Sequence, residues 1–208
     1  FRHALDAYLN DRRPEPTPRD VDVALRRIAE QQIRGLAPRV LRVFVTLRAS
    51  SEQGQHLRRS TAAAMTALAE RSWLPLLTQK IAEPMPPSSD EDALGDQLFW
   101  QATAAETLGK IGQPEALEPL LNVIFDPSKK RLGEAAYGAA LELAPTQARA
   151  TQLLHDRQTD RARVGANLLG RLGRADAAPE LIAAAKRART PEERYHIGYA
   201  LSQLPPSP

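Results

Sequence analysis

The side chains that most often carry catalysis or bind metal ions are few and scattered in this sequence. Its four histidines, His3, His56, His155 and His196, lie far apart, and it has no cysteine. Thiolate zinc sites, disulfides and cysteine nucleophiles are therefore excluded. Only His155 has an acidic neighbour, Asp156, whereas a metal centre needs several such groups together. The sequence therefore predicts no metal site, no cofactor and no metal-dependent reaction.

The densest run of carboxylates comprises Asp90, Glu91, Asp92 and Asp96. It follows two serines and precedes a periodic apolar segment, so capping and solvation at a helix start explain it. A general acid and a general base need opposed environments, and nothing in the sequence separates these groups. The sequence also lacks a phosphate-binding glycine loop, a nucleophile elbow and a dinucleotide-binding motif. We therefore expect a protein that is not an enzyme.

The basic residues form a clearer pattern near the C-terminal end. Arg163, Asn167, Arg171 and Arg174 are spaced to lie on one face of a predicted helix over 160–173. Together with basic residues that follow, they give six candidate partner-binding residues: Arg163, Arg171, Arg174, Lys186, Arg187 and Arg194. A solvated surface, a contact with a protein and a contact with nucleic acid all remain open for this face.

The charges change sign along the chain. The net charge is +3, but residues 1–60 carry +5, residues 81–120 carry −7 and residues 121–208 carry +4. A predicted helix over 114–126 carries three further candidate residues, namely Glu115, Glu118 and Asn122. A nucleic-acid-binding protein usually presents one coherent basic field, so this segmented pattern favours a mixed protein-binding surface. The sequence predicts a negative middle and a separate positive end.

An internal repeat predicts the elements that position these residues. The sequence AETLGKIG at 105–112 recurs as ANLLGRLG at 166–173, which is 61 positions later. Weaker copies contain Gly138 and Gly198. Self-similarity at this period is typical of a helical solenoid. Because glycine is costly inside a helix, we expect Gly109 and Gly170 to lie at close contacts with a neighbouring helix.

Apolar periodicity, prolines and capping residues predict an all-α fold of five helix pairs with one unpaired helix at each end. The expected helices span residues 1–10, 18–36, 38–47, 54–71, 73–83, 90–111, 114–126, 131–144, 146–157, 160–173, 175–189 and 191–204. We interpret 1–208 as a single domain. It has a leading helix and Pro-rich turn (1–17), divergent repeats (18–83), a loop (84–89) and clear repeats (90–204).

The repeated pattern A-x-x-L-G-[KR]-[IL]-G, followed by a short turn and A-x-x-x-L-[LI], resembles the HEAT-like repeat. It is most similar to the short bacterial type first named for phycobilisome lyases. The resemblance is strong over 98–204 and weaker over 18–83. It implies an armadillo-like α-α superhelix, in a family that includes chromophore lyase subunits, a deoxyhypusine hydroxylase, DNA-repair glycosylases and many scaffolds. The hydroxylase branch uses His-Glu dipeptides, and this sequence contains none.

The leading functional hypothesis is a non-catalytic scaffold or adaptor that binds protein partners. A nucleic-acid-binding HEAT domain is the second hypothesis, and a lyase- or hydroxylase-related subunit is the third. No apolar run reaches the length of a membrane span, and a cytoplasmic location is slightly favoured.

The predicted last helix still shows apolar Tyr195, Ile197, Leu201 and Leu204. We therefore expect a segment of a longer protein that contacts the rest of the chain, or a partner, through this helix. The alternative is that the tail from Pro205 onward folds back over it.

Overall fold

A computed structural model of the chain describes residues 1–10 and 17–205. These residues contain twelve α-helices and no strand, so the predicted five pairs with an unpaired helix at each end are confirmed. The Pro-rich turn predicted at 11–16 and the end of the tail, 206–208, lie outside the described residues. The helices are α1 (Arg2–Leu9), α2 (Pro18–Gln31), α3 (Ala37–Thr46), α4 (Glu52–Leu68), α5 (Leu74–Ala82), α6 (Glu91–Ile111), α7 (Leu117–Phe125), α8 (Gly133–Leu141), α9 (Thr146–Leu154), α10 (Thr159–Leu172), α11 (Ala178–Arg187) and α12 (Pro191–Ser202).

The pairs stack in sequence order. The first helix of each pair packs on the first helix of the next, so α2, α4, α6, α8, α10 and α12 form one layer. Each second helix packs on the first helix of the pair that follows, and α9 against α10 is the most extensive of these contacts. The buried apolar residues form one continuous core from Leu5 to Ala200. No pair could bury its apolar face alone, so stacking stabilises the chain.

The turn between the two helices of a pair is built in a recurrent way. A short 3-10 turn precedes the second helix at 34–36, 71–73, 114–116 and 175–177. Pro38, Pro75 and Pro179 each occupy the second position of the helix that follows, where the missing N–H is not needed. The repeat therefore extends into residues 18–83, where the glycine signature is lost.

Several predicted helices end earlier than expected, at Gln31, Leu68, Leu141, Leu154 and Ser202, where the expected ends were 36, 71, 144, 157 and 204. Capping residues define other helix ends. Gly112 and Gly173 end α6 and α10 in the left-handed conformation, with φ of 70° and 63°. Thr190 and Glu193 form a capping box at the start of α12. Helix α6 is capped by Asp90 of the acidic run, and not by one of the two serines that precede it. The N–H of Asp90 donates to the carbonyl of Pro87, which places the Asp90 carboxylate at the helix start, where it accepts from the Ala93 N–H at 2.9 Å.

The expectation for Gly109 and Gly170 is confirmed. A Cβ on Gly109 would lie 2.8 Å from the Cα of Ala139, and a Cβ on Gly170 would lie 2.8 Å from the Cα of Ala200. The two alanines are themselves 61 positions apart, so both contacts are the same contact in successive copies. Gly138 faces open space. The close glycine contact therefore recurs once every two helix pairs.

Helix α6 joins the divergent and the clear repeats through buried polar side chains. The Gln101 amide donates to the carbonyls of Glu83, at 2.6 Å, and Lys80, at 3.2 Å, at the end of α5. The Trp100 indole donates to the Phe44 carbonyl in the last turns of α3 at 3.0 Å. Neither α3 nor α5 ends with a left-handed glycine. Side chains of α6 therefore satisfy carbonyl groups that a glycine cap would otherwise engage.

Two further groups complete this junction. Asp96 of α6 accepts a hydrogen bond from the backbone N–H of Ser50 at 2.7 Å, in the turn before α4. The sequence interpretation that Asp96 only solvates a helix start is therefore wrong. The buried Lys129 ammonium donates to the Ile81 carbonyl of α5. Burial lowers the pKa of Lys129, although Asp126 and Glu83 lie near enough to oppose that effect.

Candidate functional site

Arg171 of α10 is held tightly in the first-helix layer. Its guanidinium donates to both carboxylate oxygens of Glu134 of α8 at 2.9 Å each, and it lies 4.7 Å from the centre of the Tyr137 ring. The hydrogen bonds from Arg171 lower the pKa of Glu134, and burial raises the pKa of Tyr137. A bidentate carboxylate and an aromatic ring fix the guanidinium plane in one orientation.

The other two predicted arginines of this face also have carboxylate partners. Arg163 lies 3.4 Å from Asp160, and Arg174 lies 2.9 Å from Asp176. All three pairs are largely exposed, and such pairs contribute little to stability. The carboxylates also reduce the positive potential of the face.

Two tyrosines of α12 extend the same face. Tyr195 is 69% exposed and Tyr199 is 55% exposed. The positions 61 residues earlier hold Glu134 and Gly138. Tyr199 lies close enough to contribute to the electrostatic environment of Arg171, whose pKa is raised chiefly by its hydrogen bonds to Glu134.

We call the surface formed by Tyr137, Arg163, Arg171, Tyr195 and Tyr199 the tyrosine–arginine face. The apolar residues expected on the last helix are divided between two environments. Ile197 is buried, and Leu201 and Leu204 pack partly against the core. The large exposed side chains of α12 are therefore those of Tyr195 and Tyr199.

The charged residues of the second helices are connected across the stack. Glu118 of α7 accepts from Arg149 of α9 at 2.7 and 3.2 Å. His155, just after α9, contacts Glu180 of α11 at 3.0 Å through Nε2, and Arg187 donates to its Nδ1 at 2.9 Å. This arrangement requires the His155 proton on Nε2. Charges of both signs therefore meet across α7, α9 and α11.

The remaining candidate residues lie apart from one another. Glu115 is exposed in the turn 114–116, and Asn122 lines a cavity of about 280 Å³ with Lys129 and Asp126. Lys186 and Arg194 are exposed at the C-terminal end, and neither has an ion-pair partner in the described part of the chain. The candidates therefore occupy both layers and do not converge on one pocket.

A second, open cavity lies between α4 and α6 and has a volume of about 350 Å³. Arg58 and Arg59 line one wall, and Phe99 and Glu106 line the other. Burial raises the pKa of Glu106. The sequence did not indicate this shift, because it depends on how α4 and α6 are spaced.

Two structural features are absent from residues 1–10 and 17–205. These residues contain no group of three or more histidine, cysteine, aspartate or glutamate side chains that could hold a metal ion. No helix within the same ranges combines the length and the apolar character that a membrane span needs.

Part of the chain matches the model of a known family. The model of the PBS lyase HEAT-like repeat matches residues 100–126, which cover the second half of α6 and all of α7. This stretch contains the segment 105–112, which recurs 61 positions later and includes Gly109 and Gly112. No curated protein sequence matches the chain. The matched segment, the helix pairs and their stacking agree on a repeat architecture.

Proposed function

We propose that this chain, a HEAT-like repeat protein, is a non-catalytic scaffold that binds a protein partner through the tyrosine–arginine face. The observation that carries this proposal is the exposure of Tyr195 and Tyr199 beside the fixed guanidinium of Arg171. Tyrosine and arginine, together with tryptophan, are enriched among the residues that dominate the energy of protein interfaces. The face covers three successive first helices, which suits a broad protein contact more than a small molecule.

Two properties of the face support binding without large reorganisation. Arg171 is held before any partner arrives, so less side-chain entropy is lost on binding. Gly138 and Gly198 lie in exposed helix interiors, and a Cβ at either would meet no atom within 4 Å. Because internal packing does not require these glycines, a partner backbone that approaches the helices closely would explain them.

The scaffold proposal is tested with the full-length protein as bait. We expect a stoichiometric protein partner that copurifies with the wild type and is lost with the double variant Tyr195→Ser/Tyr199→Ser. A matched control is Val23→Ser, which changes another exposed large side chain at the opposite end of the stack. Loss of the partner in both variants, or its retention in the double variant, would refute binding through this face.

The nucleic-acid alternative is favoured by one observation, namely that tyrosines alternate with arginines on this face. Against it, Glu134, Asp160 and Asp176 already neutralise three of the arginines. We therefore expect DNA binding no tighter than about 10⁻⁵ M at physiological salt, in the non-specific range. Fluorescence anisotropy with duplex and single-stranded DNA measures this. Submicromolar binding that weakens steeply with salt and is lost in Arg163→Glu/Arg171→Glu would establish the alternative instead.

A further inference from the structure

The first helices of successive pairs pack closely and loosely in alternation. Helices α6 and α8 approach each other at Gly109, and α10 and α12 do so at Gly170. Helices α8 and α10 pack less extensively, and so do α4 and α6. Because these two loose junctions are separated by two helix pairs, they are equivalent places in the stack. They differ in what occupies the space between the helices.

Tyr137 of α8 fills the junction between α8 and α10. Its ring centre lies 4.7 Å from the Arg171 guanidinium, and its hydroxyl is hydrogen-bonded to the Asn167 side chain. Burial raises the pKa of Tyr137, and Asn167, Arg163 and Arg171 of α10 oppose that effect. A phenol ring, a hydrogen-bonding side chain and guanidinium groups therefore complete this junction from within the chain.

The junction between α4 and α6 contains the open cavity of about 350 Å³ instead. The residues of α6 that stand 61 positions before Arg163 and Asn167 are Ala102 and Glu106, and both line the cavity. The wall that α4 contributes includes Ala62 and has no aromatic side chain. The cavity therefore occupies the place that a tyrosine ring fills two helix pairs later.

The other groups that surround a tyrosine ring in the filled junction have counterparts in this cavity. Arg58 and Arg59 of α4 line it, are exposed and form no ion pair within the described residues. Phe99 forms an aromatic wall, and its ring centre lies 6.1 Å from that of Phe44. Glu106 keeps contact with solvent, but desolvation raises its pKa, with no hydrogen bond or cation of the described residues to oppose it. The cavity thus offers guanidinium groups and a hydrogen-bond acceptor, and lacks the ring between them.

We propose that the cavity between α4 and α6 binds a tyrosine side chain of a partner protein, in a segment where acidic residues flank that tyrosine. The phenol ring packs against Phe99 and Ala62, and its hydroxyl donates to the Glu106 carboxylate, an ionised acceptor that strengthens the hydrogen bond. The flanking carboxylates pair with Arg58 and Arg59, one helical turn before Ala62. This inference rests on the proposed scaffold function and adds a second contact surface to it.

The shape of the cavity favours a peptide over a free small molecule. Its lining extends over residues 55–62 of α4 and 99–106 of α6, which is about 10 Å along each helix axis. A free phenol would cover part of this length and would keep much of its surface in water, unlike a ligand in an enclosed pocket. A peptide can place its tyrosine in the cavity and its acidic neighbours on the arginines at the same time.

The test measures the binding of synthetic peptides to the full chain by isothermal titration calorimetry. The probe is a blocked peptide with the sequence Gly-Asp-Tyr-Asp-Gly. One control peptide replaces its tyrosine with phenylalanine, and another replaces both aspartates with lysine. We expect the probe to bind at least about tenfold more tightly than either control, because one lacks the hydroxyl and the other reverses the charges. The free phenol p-cresol should also bind at least about tenfold more weakly than the probe.

Substitutions in the cavity make the test independent of folding defects. Ala62→Tyr should fill the cavity from within, so we expect it to abolish binding of the probe and to raise the melting temperature by about 2–4 °C. Ala63→Tyr adds the same ring at the next position, which is exposed and outside the cavity lining, and should do neither. Glu106→Leu should remove the preference for tyrosine over phenylalanine, whereas Glu106→Gln, which keeps an acceptor, should retain it.

Four outcomes would each overturn the proposal. They are no measurable binding of the probe, equal binding of the tyrosine and phenylalanine peptides, an unchanged affinity in Ala62→Tyr, and binding of p-cresol as tight as that of the probe. The last outcome would assign the cavity to a small phenol. If the partner that requires Tyr195 and Tyr199 still copurifies with the wild type in those cases, the scaffold function stands and only the contact at the cavity fails.

Discussion

Gly165→Ala is expected to lower the free energy of unfolding by about 3 kcal/mol, because the added methyl would overlap the backbone of α9. A Cβ on Gly165 would lie against the backbone nitrogen of Leu154 and 2.6 Å from the carbonyl oxygen of Ala150. Backbone atoms cannot rotate away as a flexible side chain can. Relief would require α9 and α10 to separate along the most extensive helix contact in the stack. Urea denaturation followed by circular dichroism measures the change.

Glycines with other surroundings supply the controls. Gly170→Ala should also destabilise, by about 1–3 kcal/mol, since its Cβ would lie 2.8 Å from the Cα of Ala200. Gly198→Ala should stabilise by up to about 1 kcal/mol, because that site is open and alanine favours the helix. Equal effects at Gly165 and Gly198 would mean that helix propensity, not the approach of α9, decides the outcome.

The contrast between these glycines explains what the sequence could predict. Gly109 and Gly170 recur at the same place in two copies, and this recurrence indicated a shared packing contact. Gly165 has Ala104 as its equivalent, so no recurrence distinguished it. Its role depends on how closely α9 approaches α10, which is a property of the stack. Gly138 and Gly198 recur in the weaker copies, yet a Cβ at either would meet open space.

The candidate site was predictable to a similar extent. Helical spacing correctly placed Arg163 and Arg171 on α10, because that inference needs only the helix itself. Their surroundings could not be derived in this way. The partner of Arg171 is Glu134, 37 residues earlier, and the partner of Glu118 is Arg149, 31 residues later. Such pairs depend on the relative rotation of two stacked helices, which a one-dimensional pattern does not specify.

The junction around α6 was missed for a related reason. Gln101 lies one turn before the repeat signature, and its equivalent in the next copy is Ala162. A glutamine in an otherwise apolar segment gives no indication of which carbonyl groups it will meet. In the structure it is buried and donates to two carbonyls at the end of α5. A residue that departs from the repeat therefore joins the divergent repeats to the regular ones.

Gln101→Glu is expected to destabilise the protein by about 3–5 kcal/mol near neutral pH, because it buries an uncompensated charge. The new carboxylate would face the carbonyl oxygens of Lys80 and Glu83 in place of an amide that donates to both. The nearby ammonium groups are already engaged, Lys80 with the Glu83 carboxylate and Lys129 with the Ile81 carbonyl. We expect burial to raise the pKa of the introduced carboxyl, since its charged form is disfavoured there.

The pH dependence separates this charge effect from a loss of packing. With a pKa that is higher in the folded than in the unfolded state, the penalty is full above the folded pKa and shrinks as the pH falls through it. As the pH falls from 8 to 5, the melting temperature of the Gln101→Glu variant should therefore approach that of the wild type.

Two variants serve as controls. Gln101→Met, which removes the hydrogen bonds without adding charge, should lower the free energy of unfolding by about 1–3 kcal/mol at every pH. Gln79→Glu, at an exposed position of α5, should change little at any pH. A Gln101→Glu protein as stable as the wild type at pH 8 would mean that a lysine leaves its present partner for the new carboxylate, and that α6 does not hold α5 through these carbonyls.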